Sequence, residues 1–323
     1  MAVLAATTPF ARSDNFVVGH GPAQANPNRV RVFDATGAPT PTDFLAYSAG
    51  QWGVNVSSAD VNPGGVDDIA TGPGPGPQFG PQVKAFLADG TAIAKVNFYS
   101  YGTLKSGVNV ATGDIDGADE FLTGPGPGGV FGPHVRGWDY DGTNLTAIVK
   151  VSYFAYSTLK YGVNVGAGGI DLDGFDEILT CPGPGPVFGS NVRGWNYDNQ
   201  AIGLIAKVNF FAFTNPSGGG RVVGGDFDDD TNDEMAASAA GQAAGFNFDG
   251  ASVTAMTGFT IAAEATGSGD IGGMSGDDLM VGDATTSDVV AYDYDGTQLT
   301  QILAFSAFSG YARVTLAGGD LGF

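Results

Sequence analysis

Six acidic residues fall within the nine-residue run Asp226-Phe-Asp228-Asp-Asp230-Thr-Asn-Asp233-Glu234. Carboxylates at alternate positions point to one side of a tight loop, and an acid at the ninth position can close a shell around a hard, oxygen-seeking cation such as Ca²⁺. Without a cation, like charges at that spacing repel one another. The competing reading is structural: Asp side chains cap backbone N–H groups in turns. Charge density favours a metal at Asp226, Asp228, Asp230 and Glu234. Asp60, Asn62 and Asp68 keep the nine-residue length, but Gly64 stands at the fifth place. Asp114 with Asp116, and Asp171 with Asp173, read as openings of loops two residues shorter, beside Gly117 and Gly174. Both readings stay open for those three loops. The loop at Asp270 carries Gly272 and Met274 where the ligands would be, and is expected to be a turn only.

These loops belong to an internal repeat, and a repeat determines architecture before any single residue does. DIDGADEFLTGPGPGGVFGP opens at Asp114, DLDGFDEILTCPGPGPVFG at Asp171 and DVNPGGVDDIATGPGPGPQFGP at Asp60. Weaker copies open at Asp226 and Asp270, and a sixth opening at Asp320 stops at Phe323. Its second half stands near the N-terminus, where Asp14 to Gly19 matches the phrase after Asp176. A repeat cut inside one unit is what a closed ring requires. The last unit is then shared by residues 14–49 and 313–320. An Asp precedes the ninth position in all six units (Asp14, Asp67, Asp119, Asp176, Asp233, Asp277), including the unit without other ligands. That regularity indicates a backbone role for this residue.

Each unit divides into four short strands. Val108 to Gly113, Glu120 to Thr123, Val135 to Tyr140 and Ala147 to Tyr156 serve as the pattern, with Asp141-Gly142 as a hairpin turn signal. Six such units predict an all-β, six-bladed propeller of four-stranded antiparallel blades spanning residues 1–323, with seven blades as the alternative count. Arg313 to Gly319 is predicted to be the inner strand of the last blade, with Phe16 to Val18, Val30 to Phe33 and Phe44 to Tyr47 as its other three. Phe33, Phe86, Trp138, Trp195, Phe246 and Tyr292 recur at one place in the third strand, and are expected to pack between blades rather than to stack on sugars.

Composition agrees with many short strands joined by tight turns. The 323 residues include 53 Gly and 17 Pro, and no sustained helical periodicity appears. The net charge of −21 repels nucleic acid and anionic membranes and attracts cations. No apolar run is long enough to span a bilayer. Met1 to Ala6 is too short for the apolar region of an export signal. Cys181 is the only cysteine, which excludes a disulfide within the chain, and it is read as a small buried thiol.

A loop of the form Asp-x-Asp/Asn-x-Asp-Gly-x-x-Asp, followed by an apolar strand and Gly, resembles the FG-GAP or VCBS repeat of integrin α-subunit propellers and bacterial surface proteins. VNVATGDIDGADEFLTGPGPG and GPHVRGWDYDG are similar to its bacterial branch, and the likeness covers nearly the whole chain. The resemblance implies a propeller with Ca²⁺ in the first hairpin of some blades, held here by Asp226, Asp228, Asp230 and Glu234. It carries over in part to Asp60, Asn62 and Asp68. The family usually has seven blades, and no single activity follows from the fold.

The opposite face carries the Gly-Pro loops (residues 72–81, 124–133, 181–190) and the crossovers (residues 99–107, 153–162, 212–220), shared by three adjacent blades. Pro and Gly make such loops rigid and shaped. Lys105, Lys160, His134, Arg136 and Arg193 are scarce positive groups there, and are candidates for contact with an acidic ligand. Only His20 and His134 could act as imidazole bases, and neither sits in a nucleophile motif. The expectation is a non-catalytic, Ca²⁺-stabilised binding or structural propeller, extracellular or at the cell surface, with a protein or carbohydrate partner and no membrane insertion. A lectin is the first alternative. A polysaccharide-active enzyme such as a lyase is the second.

Overall fold

A computed structural model describes residues 13–48, 50–215, 217–273 and 276–323 of the chain. Met1 to Ala6 and Met274 lie outside the described residues. Twenty-four strands form six separate four-stranded sheets, with no helix among the described residues. Each sheet is a fully antiparallel blade of a six-bladed propeller. Blades one to five run through residues 54–103, 108–158, 163–211, 221–262 and 265–306 in chain order. Blade six is composite. Its inner strand Val314–Gly319 pairs with Asn15–His20, followed outward by Arg29–Phe33 and Pro39–Leu45.

The second strand of each blade is buried on both faces, because each blade is covered by a neighbour on either side. NFVVGH, DIATGP and EILTCP are buried at every position. The six apolar clusters accordingly lie between blades rather than inside them; one joins Val17 and Val32 of blade six to Val54 and Ile69 of blade one. The third-strand aromatics do what was expected of them. Phe33 meets Phe305, Phe86 meets Phe44, Trp138 meets Phe98, Trp195 meets Tyr153 and Phe246 meets Phe210, at centroid distances of 4.5–4.8 Å. In each pair the partner belongs to the outer strand of the preceding blade. Tyr292 packs in the cluster between blades four and five.

One strand boundary differs from expectation. The outermost strand of blade six is Pro39–Leu45, not Phe44 to Tyr47. Its prolines are tolerated because an edge strand has no further ladder to donate to. Tyr47 leaves the sheet instead, and its buried hydroxyl donates to the carbonyls of Thr71 (2.8 Å) and Gln82 (2.9 Å) in blade one. Tyr101 and Tyr156 repeat this contact in the next two blades.

Two sets of carboxylates are structural. In the outer hairpins Asp34, Asp89, Asp141, Asp198, Asp249 and Asp295 each accept a backbone N–H two residues on, and the hydrogen bonds of the turn, led at Asp34 and Asp295 by the Thr36 and Thr297 hydroxyls, hold their carboxyls below the usual range. The Asp preceding the ninth position is an interblade clamp. Asp119, Asp176, Asp233, Asp14 and Asp67 accept the backbone N–H of Asp60, Asp114, Gly169, Asp270 and Asp320 at 2.9–3.2 Å. Asp277 joins the same ring through its own N–H, which donates to the Asp226 carbonyl at 2.7 Å. The expected backbone role is therefore real, but it acts between blades and not within the turn.

Candidate cation loops and partner clefts

The acidic turns join the first and second strands on one face of the ring. Strand register sets their true alignment. Ala59 pairs with Asp68, Gly113 with Glu120, Gly168 with Glu177 and Gly225 with Glu234. The loop of blade three thus opens at Gly169, not Asp171, and is as long as that of blade four (177 − 169 = 234 − 226 = 8). Asp171 and Asp173 occupy its third and fifth places, and Glu177 the ninth. Glu177 was missed in the sequence because the first acid was taken for the loop's start. The apolar residue after the opening (Ile115, Ile170, Phe227) was the available signal. Only the Asp114 loop is short.

In every one of these loops the closing acid is tied down by one oxygen. Glu120 accepts from Ile115 N, Glu177 from Ile170 N, Glu234 from Phe227 N and Asp68 from Asn62 N, at 2.8–3.0 Å. The second oxygen is left for other work. Asp226, Asp228 and Glu234 bring one carboxylate oxygen each within 4.8 Å of one another, as do Asp171, Asp173 and Glu177. Bonds of about 2.3–2.6 Å to a shared Ca²⁺ span that spread. The residues of blade four fit the ion best: Asp228 Oδ1 and Glu234 Oε1 are buried with no hydrogen-bond partner. Unpaired buried carboxylate oxygens are costly unless a cation or proton joins them. In blade three the Asn196 amide donates to Asp171 (3.2 Å) and Asp173 (3.0 Å), so a neutral donor already stands between the two. At the fourth place Asp229 and Leu172 take left-handed backbone (φ 62° and 64°), a conformation that costs a non-Gly residue energy and turns their neighbours inward.

The other predicted ligands are placed differently. Asp230 is exposed and caps Asn232 N at 3.0 Å, outside the three-carboxylate group. Asp60 caps Gly64 and Gly65. Asp114 caps Asp116 and Gly117. Asp116 lies beside Glu120, whose carboxyl burial pushes up to about 9.

Burial raises Asp67, Asp176 and Asp277 to about 7, and Glu177 and Glu234 to about 8. A carboxyl raised in the folded state stabilises it fully below the unfolded value and loses that contribution as pH climbs through the folded value. In chelator, the folding free energy should therefore fall between about pH 5 and pH 8. Added Ca²⁺ should restore more at pH 8 than at pH 5, because ligands must be deprotonated. Denaturant midpoints at the two pH values check this; a metal-free protein that is more stable at pH 8 would contradict it.

The Gly-Pro face repeats another arrangement. At the facing end of the third and fourth strands, Gln82 pairs with Tyr99, His134 with Phe154 and Asn191 with Phe211. The three aromatic rings are 48%, 47% and 66% exposed. Beside them lie the pairs Lys84 with Asn97, Arg136 with Ser152 and Arg193 with Asn209. Polar contacts join the two layers: Gln82 to Asn97 (2.6 Å), His134 to Ser152 (3.0 Å), and Asn191 to Asn209 (3.3 Å). The basic residues reach across to the preceding blade. Lys84 donates to Ala46 O (2.9 Å), Arg136 to Ser100 O and Arg193 to Ala155 O. They also sit over Tyr47, Tyr101 and Tyr156 at 4.7–5.9 Å. In blade three these groups, with Val187 and Phe188, border a cleft of about 590 Å³. Blades four and five lack the set: the corresponding pairs are Gln242 with Ala262 and Asp288 with Ser306.

Lys105 and Lys160 are exposed and pin the Gly-Pro loops, donating to Gln78 O (2.7 Å) and Val130 O (2.6 Å). His20 is buried, stacked on Phe308 at 3.7 Å, and pushed down to about 4 by burial. Cys181 is buried, and burial pushes its thiol up.

No protein-family model and no curated protein matches the chain. Solved structures do. A protein from Lactobacillus plantarum is similar over 91% of this chain and 82% of its own, at TM-score 0.52 and 12% identity. An Agrocybe aegerita lectin described as recognising non-reducing terminal N-acetylglucosamine is similar over 94% of this chain and 78% of its own, at TM-score 0.50 and 15% identity. At such identities the likeness establishes the shared fold and nothing finer. No helix among the described residues is long and apolar enough to cross a membrane.

Proposed function

We propose that this chain is a non-catalytic binding propeller of the FG-GAP/VCBS type, stabilised by Ca²⁺ at Asp226, Asp228 and Glu234, which presents its Gly-Pro face to a glycan partner outside the cell or at its surface. The observation that carries the reading is the threefold recurrence of one residue arrangement, which in blade three borders a cleft. An exposed aromatic (Tyr99, Phe154, Phe211) stands directly opposite a hydrogen-bonding side chain (Gln82, His134, Asn191), beside a basic group fixed by the preceding blade. An aromatic face takes the C–H side of a sugar ring, while amide, imidazole and guanidinium groups bond its hydroxyls. Rigid walls of Gly and Pro lower the ordering cost of binding. Three neighbouring arrangements of this kind would also give avidity to a partner that presents several sugars.

A glycan array probed with the full chain tests this. We expect binding to a defined set of glycans without turnover. Phe154→Ala with Phe211→Ala should weaken it by at least tenfold, about 1.4 kcal/mol, and should leave the melting temperature within a few degrees, since both rings are exposed. Unchanged array binding in the double variant, or release of sugar fragments, would overturn the reading.

A further inference from the structure

The inner strands place six side chains in one ring around the propeller axis: Asn55, Asn109, Asn164, Arg221, Thr266 and Thr315. Asn55, Asn109 and Asn164 each donate to a carbonyl at the next inner strand (Val108, Val163 and Gly220, 2.5–2.8 Å). Thr315 does the same to Val54 O at 2.7 Å. These four bonds tie blade six to one, one to two, two to three and three to four. Arg221 breaks the pattern. Among the described residues its guanidinium has no hydrogen-bond or ion-pair partner, although it offers five donors. It opens instead into a chamber of about 290 Å³ at the Gly-Pro mouth of the channel, bounded by Pro127, Pro184, Glu264 and Arg313.

Arg313 is held there at some expense. Its backbone is left-handed (φ 67°), a conformation that an ordinary side chain adopts only where its surroundings impose it. Its guanidinium donates to Ala284 O and Pro22 O at 3.3 Å, and lies 4.0 Å from Glu264. Two arginines against one glutamate leave one uncompensated positive charge in a walled chamber of a chain whose net charge is −21. Burial disfavours the charged form of Arg221, Glu264 offsets part of that, and the neighbouring Arg313 adds to it, with a net downward push. A bound anion would remove that penalty.

We infer that the chamber is a site for a small molecule bearing one carboxylate, such as a hexuronic acid, with Arg221 as its principal anchor and Arg313 as the second cation. A guanidinium offers the planar fork that a carboxylate matches. The single surplus charge favours a monoanion; a doubly charged phosphate would exceed it and meet Glu264 and the acidic field of the whole chain. Asn55, Asn109 and Asn164 line the floor with oxygens that accept from hydroxyl groups.

Titration calorimetry on the full chain with glucuronate, its uncharged methyl ester and inorganic phosphate tests the site. Saturable binding of one glucuronate per chain is expected, with no heat from the ester. Arg221→Gln should weaken it tenfold or more, in line with loss of a charge-assisted hydrogen bond. Glu264→Gln should tighten binding, and its side chain is exposed enough to be replaced without unfolding the ring. That variant also keeps the proposal testable if Arg221→Gln fails to fold. Phe154→Ala should leave the affinity unchanged, which separates this site from the outer clefts. Absence of glucuronate binding, equal affinity in Arg221→Gln, or no response to Glu264→Gln would overturn the proposal. Phosphate binding as tight as that of glucuronate would overturn the carboxylate assignment.

Discussion

Deleting residues from Arg313 onward should abolish cooperative folding. The deletion removes the inner strand Val314–Gly319, which pairs with Asn15–His20 over six residues. Val314, Leu316 and Leu321 are 2–6% exposed in the closed ring. Burying one such side chain is worth about 1.5–3 kcal/mol, so three approach the whole stability of a typical domain, about 5–15 kcal/mol. The loss extends past apolar burial. Asp67 loses the Asp320 N–H that it accepts at 3.0 Å, and the Val54 carbonyl loses Thr315. Phe16 and Val18 would become an open sheet edge, a template for association with other chains. The truncated protein should aggregate, or melt without a sharp transition. A deletion variant that unfolds as sharply and at the same temperature as the full chain would show that the ring does not depend on this closure.

The second large effect concerns the cation. Ca²⁺ bound to the folded chain alone should add about 2.7 kcal/mol once its free concentration reaches about 100 times the Kd. Chelation should lower Tm correspondingly. Mg²⁺ should substitute poorly, because it demands a tighter octahedral shell. Asp228→Ala removes a carboxylate oxygen that is buried and unpartnered without metal, and should abolish most of the Ca²⁺ response. Asp270→Ala should not, since the loop of blade five has glycine at its third place. Thermal melts with and without chelator, beside calorimetric titration of Ca²⁺, measure both statements. A Tm indifferent to chelator and no heat of Ca²⁺ uptake would leave the acidic turns as turns.

The architecture was legible because repetition is visible without knowledge of any contact. Six openings, six strand-three aromatics and a unit split between the termini are enough to require a ring, and the pairing of Asn15 with Gly319 follows from them. The clamp aspartates were legible for the same reason, as residues present even where ligands are absent. Their partner was not, since a hydrogen bond from Asp119 to Asp60 N crosses between blades. Loop alignment failed in blade three because Asp171 resembles an opening residue, and only pairing of Gly168 with Glu177 reveals the true start. The recurring aromatic positions of the Gly-Pro arc were hidden more deeply. Tyr99, Phe154 and Phe211 each stand at a surface position where an isolated apolar residue means little. Their meaning comes from register, which sets each against Gln82, His134 or Asn191. Arg136 and Arg193 stood in the sequence as candidates for contact with an acidic ligand, yet both donate to backbone carbonyls of the preceding blade, a contact that charge counting does not anticipate.

The proposed sugar-binding arrangement recurs three times along the Gly-Pro arc, at Tyr99, Phe154 and Phe211. The most direct measurement is the stoichiometry of a glycan selected from the array, determined by calorimetry at protein concentrations well above Kd. The account predicts about three bound glycans per chain, falling by one in each of Tyr99→Ala, Phe154→Ala and Phe211→Ala, with the Ca²⁺ response intact. A stoichiometry unmoved by all three replacements would contradict it.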